Sequence, residues 1–151
     1  MRIRTVAALA ACLLASPALA GPAEDAALAP FRTQVDDVNA GDMKAAAKTF
    51  TANAAIVDEF APFLWQGKAF AGWSAGYAKW AKTNGVTDTH LTIAQPTEMN
   101  MGTDVAYAVV PGHLTFSQNG KPGSEDGTFS LVVKRYRSGW KVAAWAWATK
   151  P

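Results

Sequence analysis

The spacing of apolar residues changes twice along this chain, and each change predicts a different kind of element. From Glu24 to Ala40, Leu28, Phe31, Val35 and Val38 recur on one stripe at helical spacing, with Pro30 expected in the first turn. Asn39-Ala40-Gly41-Asp42 ends that helix and caps a second, Met43 to Thr51, whose Met43, Ala47 and Phe50 are expected to face the core. Ala54 to Phe60 then alternates as a strand, with Ile56, Asp58 and Phe60 on one face and Pro62 as the stop. After a short connection through Trp65, a third helix is predicted over Lys68 to Thr83. Phe70, Trp73, Tyr77, Trp80 and Ala81 form its aromatic stripe, and Asn84-Gly85 closes it.

Beyond Thr87 the spacing is that of strands. Thr89 to Gln95 alternates, with Leu91 and Ile93 opposite His90, Thr92 and Ala94. Asp104 to Ser117 reads as a long strand with a bulge or bend at Pro111-Gly112. Asn119-Gly120 is a hairpin turn, and Lys121 to Asp126 reads as a polar connection. Gly127 to Thr149 then forms two long strands joined at Arg137-Ser138-Gly139. Phe129, Leu131 and Val133 share one face of the first, and Trp145 and Trp147 share a face of the second. Helix, helix, strand, helix and then antiparallel strands is an α+β layout, with helices packed on one face of a curved sheet.

Composition narrows the setting. Half of the 151 residues are hydrophobic and 17% are charged, enough for one domain with a core of its own. Residues 1–20 are expected to be a secretory signal peptide. Arg2 and Arg4 precede the apolar run Thr5 to Ala15, and Ala18-Leu19-Ala20 supplies the cleavage pattern, which leaves residues 21–151 as the domain. A lipoprotein reading of Leu9-Ala10-Ala11-Cys12 leaves too few apolar residues before the cysteine. Cleavage after Ala20 removes Cys12, the sole cysteine, and with it any disulfide or thiolate chemistry. Of the 14 basic residues, Arg2 and Arg4 lie in the leader, so 12 basic residues face 12 acidic ones in the mature chain. With no basic run, nucleic-acid binding is not expected, and no segment reaches the length of a membrane span.

The helix pair joined by Asn39-Ala40-Gly41-Asp42, the strand ending in Val57-Asp58, Trp65-Gln66-Gly67-Lys68 before a helix, and Arg135-Tyr136-Arg137-Ser138-Gly139-Trp140-Lys141-Val142 in the closing hairpin together resemble the SnoaL-like and ketosteroid-isomerase-like proteins. These form part of the nuclear transport factor 2-like superfamily. The resemblance implies a cone: a strongly curved, mainly antiparallel sheet wrapped around three N-terminal helices, with a pocket at the open end. It also implies a sheet whose outer face commonly mediates dimerisation. It does not imply one function, because that scaffold hosts isomerases, cyclases, dehydratases and non-catalytic binding proteins alike. Matching Val57-Asp58 puts Asp58 where the isomerase base sits, and matching the hairpin puts Trp145 and Trp147 on the pocket face. The oxyanion-donor positions fall at Gln34 and near Val132, so steroid isomerisation is not implied.

Asp58 is the leading candidate for chemistry on physical grounds too, since a carboxylate between Ile56 and Phe60 on an inward face is partly desolvated and its pKa is raised. The alternative is a solvated strand end. His113, if the Pro111-Gly112 bend aims it inward, would pair with Asp58; otherwise it is a surface histidine, as His90 is expected to be. Trp65, Tyr77, Trp145 and Trp147 are candidate ligand contacts, although Trp73, Tyr77 and Trp80 also suit the core stripe of a helix. The two histidines lack metal-ligand spacing, no phosphate loop is present, and neither metal nor cofactor is expected.

The expectation is an exported protein, periplasmic or secreted, that binds a small apolar or aromatic molecule. It is expected to dimerise through Phe129, Leu131 and Val133 on the outer sheet face. The alternatives are an isomerase-, cyclase- or hydrolase-type enzyme using Asp58 as general base, and an accessory protein acting through its sheet face.

Overall fold

A computed structural model describes residues 21–150; the expected signal peptide at residues 1–20 lies outside the described residues. Helix α1 (Pro22–Asn39) begins two residues before the expected start at Glu24, because Glu24 reaches back to accept a hydrogen bond from the Gly21 amide at 2.8 Å. Pro30 lies inside the helix rather than in its first turn, removing one intrahelical hydrogen bond. Asp42 caps α2 (Met43–Ala47) as expected, accepting from the Ala45 amide at 2.8 Å. The helix is shorter than its predicted span because the chain is already extended at Phe50. Ala46 is its buried residue, while Met43 is left 40% exposed.

The remaining elements are β1 (Phe50–Val57), β2 (Leu64–Gly67), α3 (Ala69–Asn84), β3 (Val86–Ile93), β4 (Glu98–Met101), β5 (Val105–Gln118), β6 (Lys121–Tyr136) and β7 (Gly139–Thr149). They form one open, mixed, seven-stranded sheet in the order β2-β1-β7-β6-β5-β3, with β4 beside β3 on β5; only β1 and β7 run parallel. The architecture is the expected α+β one. The segment from Lys121 to Asp126 is not a connection, however: it is the first third of β6, paired with β5 from Gln118 onward. Its Pro122 and Gly123, with Gly127 just beyond, hide the alternation of a strand.

Nor does Pro111-Gly112 form a bulge, since β5 and β6 pair in unbroken register from Val105↔Lys134 to Gln118↔Lys121. The Pro111 carbonyl points to the other side of β5, where it accepts from the Ala94 amide at 2.9 Å. In an antiparallel strand a residue's N–H and C=O point the same way. The missing N–H therefore falls on the side where β3 ends and β4 begins, and it costs the β5–β6 ladder nothing.

The edge strand β3 is closed off by α1. The Asn39 side chain donates to the Leu91 carbonyl at 2.8 Å and accepts from the Leu91 amide at 2.9 Å, satisfying both backbone groups as a neighbouring strand would.

The closing hairpin departs most from expectation. From the turn, Tyr136↔Gly139 through Val133↔Val142 pair in regular register, and then Val132 pairs with Ala144. Ala143 is the extra residue of a β-bulge. The slip brings Trp145 opposite Leu131 and Trp147 opposite Phe129, and partners directly opposite one another share a face. Phe129, Leu131 and Val133 therefore do not form an outer dimer surface. They are 5%, 0% and 1% exposed and lie in the core with the tryptophans. Phe129 packs edge-on against Phe31 of α1 at 5.0 Å and against Trp145 at 5.5 Å, joining helix and sheet.

Trp147 can lie on the sheet only because Gly112 and Gly127, register partners on β5 and β6, leave the space. A Cβ on Gly112 would meet the indole at 2.9 Å, and one on Gly127 would overlap it. Gly127→Ala is therefore expected to lower stability by about 1–3 kcal/mol through overpacking and to shift tryptophan emission. Urea unfolding monitored by fluorescence measures both, and an unchanged midpoint would contradict this packing.

Candidate functional site

The site is built where β1 runs out. Ile56 is fully buried, β1 ends at Val57, and Phe60 is again buried, so Asp58 sits half-buried at the rim of the apolar interior. Its two oxygens are held separately. The Trp73 indole N–H donates to Oδ2 at 2.7 Å and the Glu59 amide donates to Oδ1 at 2.7 Å. Burial pushes the carboxyl above the usual aspartate range; the two hydrogen bonds oppose that shift without cancelling it, and the charge of Glu59 adds to it.

Trp73 lies on the inward face of α3 because Phe70, Trp73 and Tyr77 follow one another at helical spacing. Tyr77 stacks on it one turn later, with centroids 5.5 Å apart and planes 15° apart. Trp145 meets it edge-on at 5.3 Å. The Tyr77 hydroxyl is held protonated to higher pH, chiefly by burial. The charges of Asp58 and Glu125 add to the shift, and Thr89 beside it acts the other way. The Tyr77 hydroxyl thus lies within electrostatic reach of two carboxylates.

Glu125 is the residue that sequence reasoning missed. It lies on β6 two residues before Gly127, on the same face as Phe129, and only the alternation of a strand extended to Lys121 could have revealed it. Burial raises its carboxyl, the charges of Glu59 and Asp58 raise it further, and the Trp147 side chain acts against the shift. Glu59 in turn accepts from the Thr149 amide at 2.6 Å and from its hydroxyl at 2.7 Å, tying the end of β7 to the loop after β1.

Of the residues singled out from sequence, Asp58 and Tyr77 come together here, with Trp147 beside Glu125. Trp145 is 3% exposed and fills the interior behind Trp73. Trp65 packs on α3, where Gly72 and Gly76 admit its ring, and against Phe60 at 5.0 Å; it buttresses the loop that carries Asp58. His113 is not brought to Asp58. Regular alternation along β5 puts it on the exposed face, where its Nδ1 lies 2.8 Å from Asp126 Oδ1. His90 is exposed as well. Two buried polar atoms deeper in the cone have no partner: Gln34 Oε1 on α1 and Trp145 Nε1 on β7, an acceptor and a donor. Among the described residues no three His, Cys, Asp or Glu side chains are arranged to hold a metal ion, and no helix is long and apolar enough to cross a membrane.

Solved structures share this architecture at low sequence identity. An ntf2-like protein with a cystatin-like fold from Novosphingobium aromaticivorans superposes with a TM-score of 0.67 at 16% identity, covering 83% of this chain and 80% of its own. The chain has the nuclear transport factor 2-like fold. LinA matches with a TM-score of 0.71 at 14% identity, over 85% of this chain and 87% of that one. The S. rosetta CaMKII hub matches with a TM-score of 0.67 at 21% identity, over 88% of this chain and all of the hub chain. No family model matches the sequence, and no curated protein matches it.

The raised carboxyls make stability depend on pH in a definite direction. A folded-state pKa above the unfolded one means that the native protein holds its proton more tightly. Stability is then greatest below the ordinary carboxylate range and falls as pH rises through the raised value. Asp58→Asn keeps an acceptor for the Trp73 indole, gives up the bond from the Glu59 amide, and cannot ionise. It is expected to flatten the fall of the melting temperature between acid and neutral pH, whatever the lost bond costs at every pH. A fall as steep as that of wild type would contradict this reading.

Proposed function

We propose that the protein binds a small, largely apolar molecule at the mouth of its cone, with Asp58, Tyr77 and Glu125 taking the ligand's polar group. The observation carrying this is the Trp73–Asp58 hydrogen bond. It fixes a partly desolvated carboxylate beside Trp73, on which Tyr77 stacks, and the charge of that carboxylate reaches the Tyr77 hydroxyl and Glu125, whose carboxyl is also raised. The unpartnered Gln34 Oε1 and Trp145 Nε1 leave an acceptor and a donor unused in the interior. Export is part of the same reading. Cleavage after Ala20 would make Gly21 the amino terminus, where its nitrogen already donates to Glu24 Oε2 at 2.8 Å and meets the two acids of the first helical turn.

A second reading is favoured by the same geometry. A carboxylate whose pKa is raised toward working pH, held in one orientation by two donors, is suited to act as a general base, with Tyr77 as the neighbouring acid. Binding and proton transfer would share Asp58. Hub-like assembly, the role named for one structural relative, rests on no residue of this site.

Titrating the mature protein with a panel of aromatic hydroxy compounds while following tryptophan emission separates these readings. A binder is expected to quench Trp73 and Trp147 and to lose at least about tenfold in affinity in Tyr77→Phe or Asp58→Ala, as removal of a hydrogen bond to a charged group predicts. If a bound compound is also turned over, Asp58→Asn should stop turnover while leaving binding. No emission change across the panel would overturn the binding proposal.

A further inference from the structure

The bulge at Ala143 has a second effect, on the other side of the sheet. β1 pairs with β7 at Phe50↔Val142 and resumes only at Ala55↔Ala144, so Thr51 to Ala54 bow away from the ladder at the position of the bulge. The gap is the floor of an outward-facing groove of about 600 Å³. Val132, Ala143 and Ala144 line its apolar part, and Lys134, Lys141 and Tyr136 are among its polar walls.

The lysines carry the inference. Lys134 and Lys141 are direct register partners on β6 and β7, so the two side chains leave the same face of the sheet from opposite positions. Like charges so placed repel. Neither has an ion-pair partner among the described residues, and no carboxylate lines the groove. The Lys141 ammonium is tethered across the groove by donating to the Lys48 carbonyl, which orients it without neutralising it. Thr51, Asn53, Ser138 and Tyr136 add hydroxyl and amide donors around the same space. A repelling lysine pair, hydrogen-bond donors and a small apolar floor match a dianionic headgroup attached to an apolar body.

We propose that this groove is a second ligand site, separate from the cone mouth, that binds a small organic phosphate monoester. The oxyanion sits between Lys134 and Lys141, and the organic part lies over Val132, Ala143 and Ala144. It calls on no residue of the cone mouth, so either site can fail without the other.

Phenyl phosphate is a suitable probe, with phenol and inorganic phosphate as its two halves, in an amide NMR titration of the full mature chain at constant ionic strength. Phenyl phosphate is expected to shift the Asn53, Val132, Tyr136 and Ala143 amides, and to bind more tightly than phosphate and far more tightly than phenol. Lys134→Gln and Lys141→Gln should each weaken it by about tenfold or more, whereas Lys121→Gln should not. The two groove variants should also melt at or slightly above the wild-type temperature without ligand, because each removes the repulsion. Shifts scattered over other lysines, equal binding of phenol, or unchanged affinity in both variants would overturn the proposal.

Discussion

One extra residue in β7 sets the rest of the structure. Without the bulge at Ala143, Phe129 would face Ala146 and Leu131 would face Ala144, and both tryptophans would turn to the opposite side of the sheet. With it, Val142, Trp145 and Trp147 all point inward although the first two are an odd number of residues apart. The interior then closes around Phe31, Phe129, Trp145 and Trp73, and Trp147 settles on the glycines of β5 and β6. The same residue is where β1 lets go of β7. A single local irregularity thus packs one face of the sheet and opens the other.

The packed face determines the chemistry available. Trp145 occupies the depth of the cone, so the ionisable groups are confined to its rim, where Asp58, Tyr77 and Glu125 are partly desolvated. Burial raises both carboxyls, and the charge of Asp58 raises Glu125 further, an arrangement that costs stability at neutral pH and is characteristic of sites kept for binding or proton transfer.

The sequence made some of this legible and hid the rest for physical reasons. The aromatic stripe of α3 and the burial of Ile56 and Phe60 around Asp58 follow directly from periodicity, and the order of motifs pointed to the cone. Ala143-Ala144 gives no sign of a bulge, because neither small side chain has a preferred face. A regular ladder is then the natural assumption, and it sends Phe129 and the tryptophans to opposite sides. Glu125 was hidden among Pro122, Gly123 and Gly127, whose composition suggests a loop. Pro111-Gly112 suggested a bend that would turn His113 inward. The proline is accommodated at a junction between two edge strands instead, and the glycine yields its space to Trp147.

The central claim is that Asp58, Tyr77 and Glu125 form one electrostatically coupled site whose state is sensed by Trp73. The indole Nε1–H of Trp73 donates directly to Asp58, so its proton NMR signal is the most direct reporter. On titration it is expected to move with a midpoint above the ordinary aspartate range, and Glu59→Gln should lower that midpoint by removing the neighbouring negative charge. A midpoint within or below the ordinary range, unmoved by Glu59→Gln, would contradict the account.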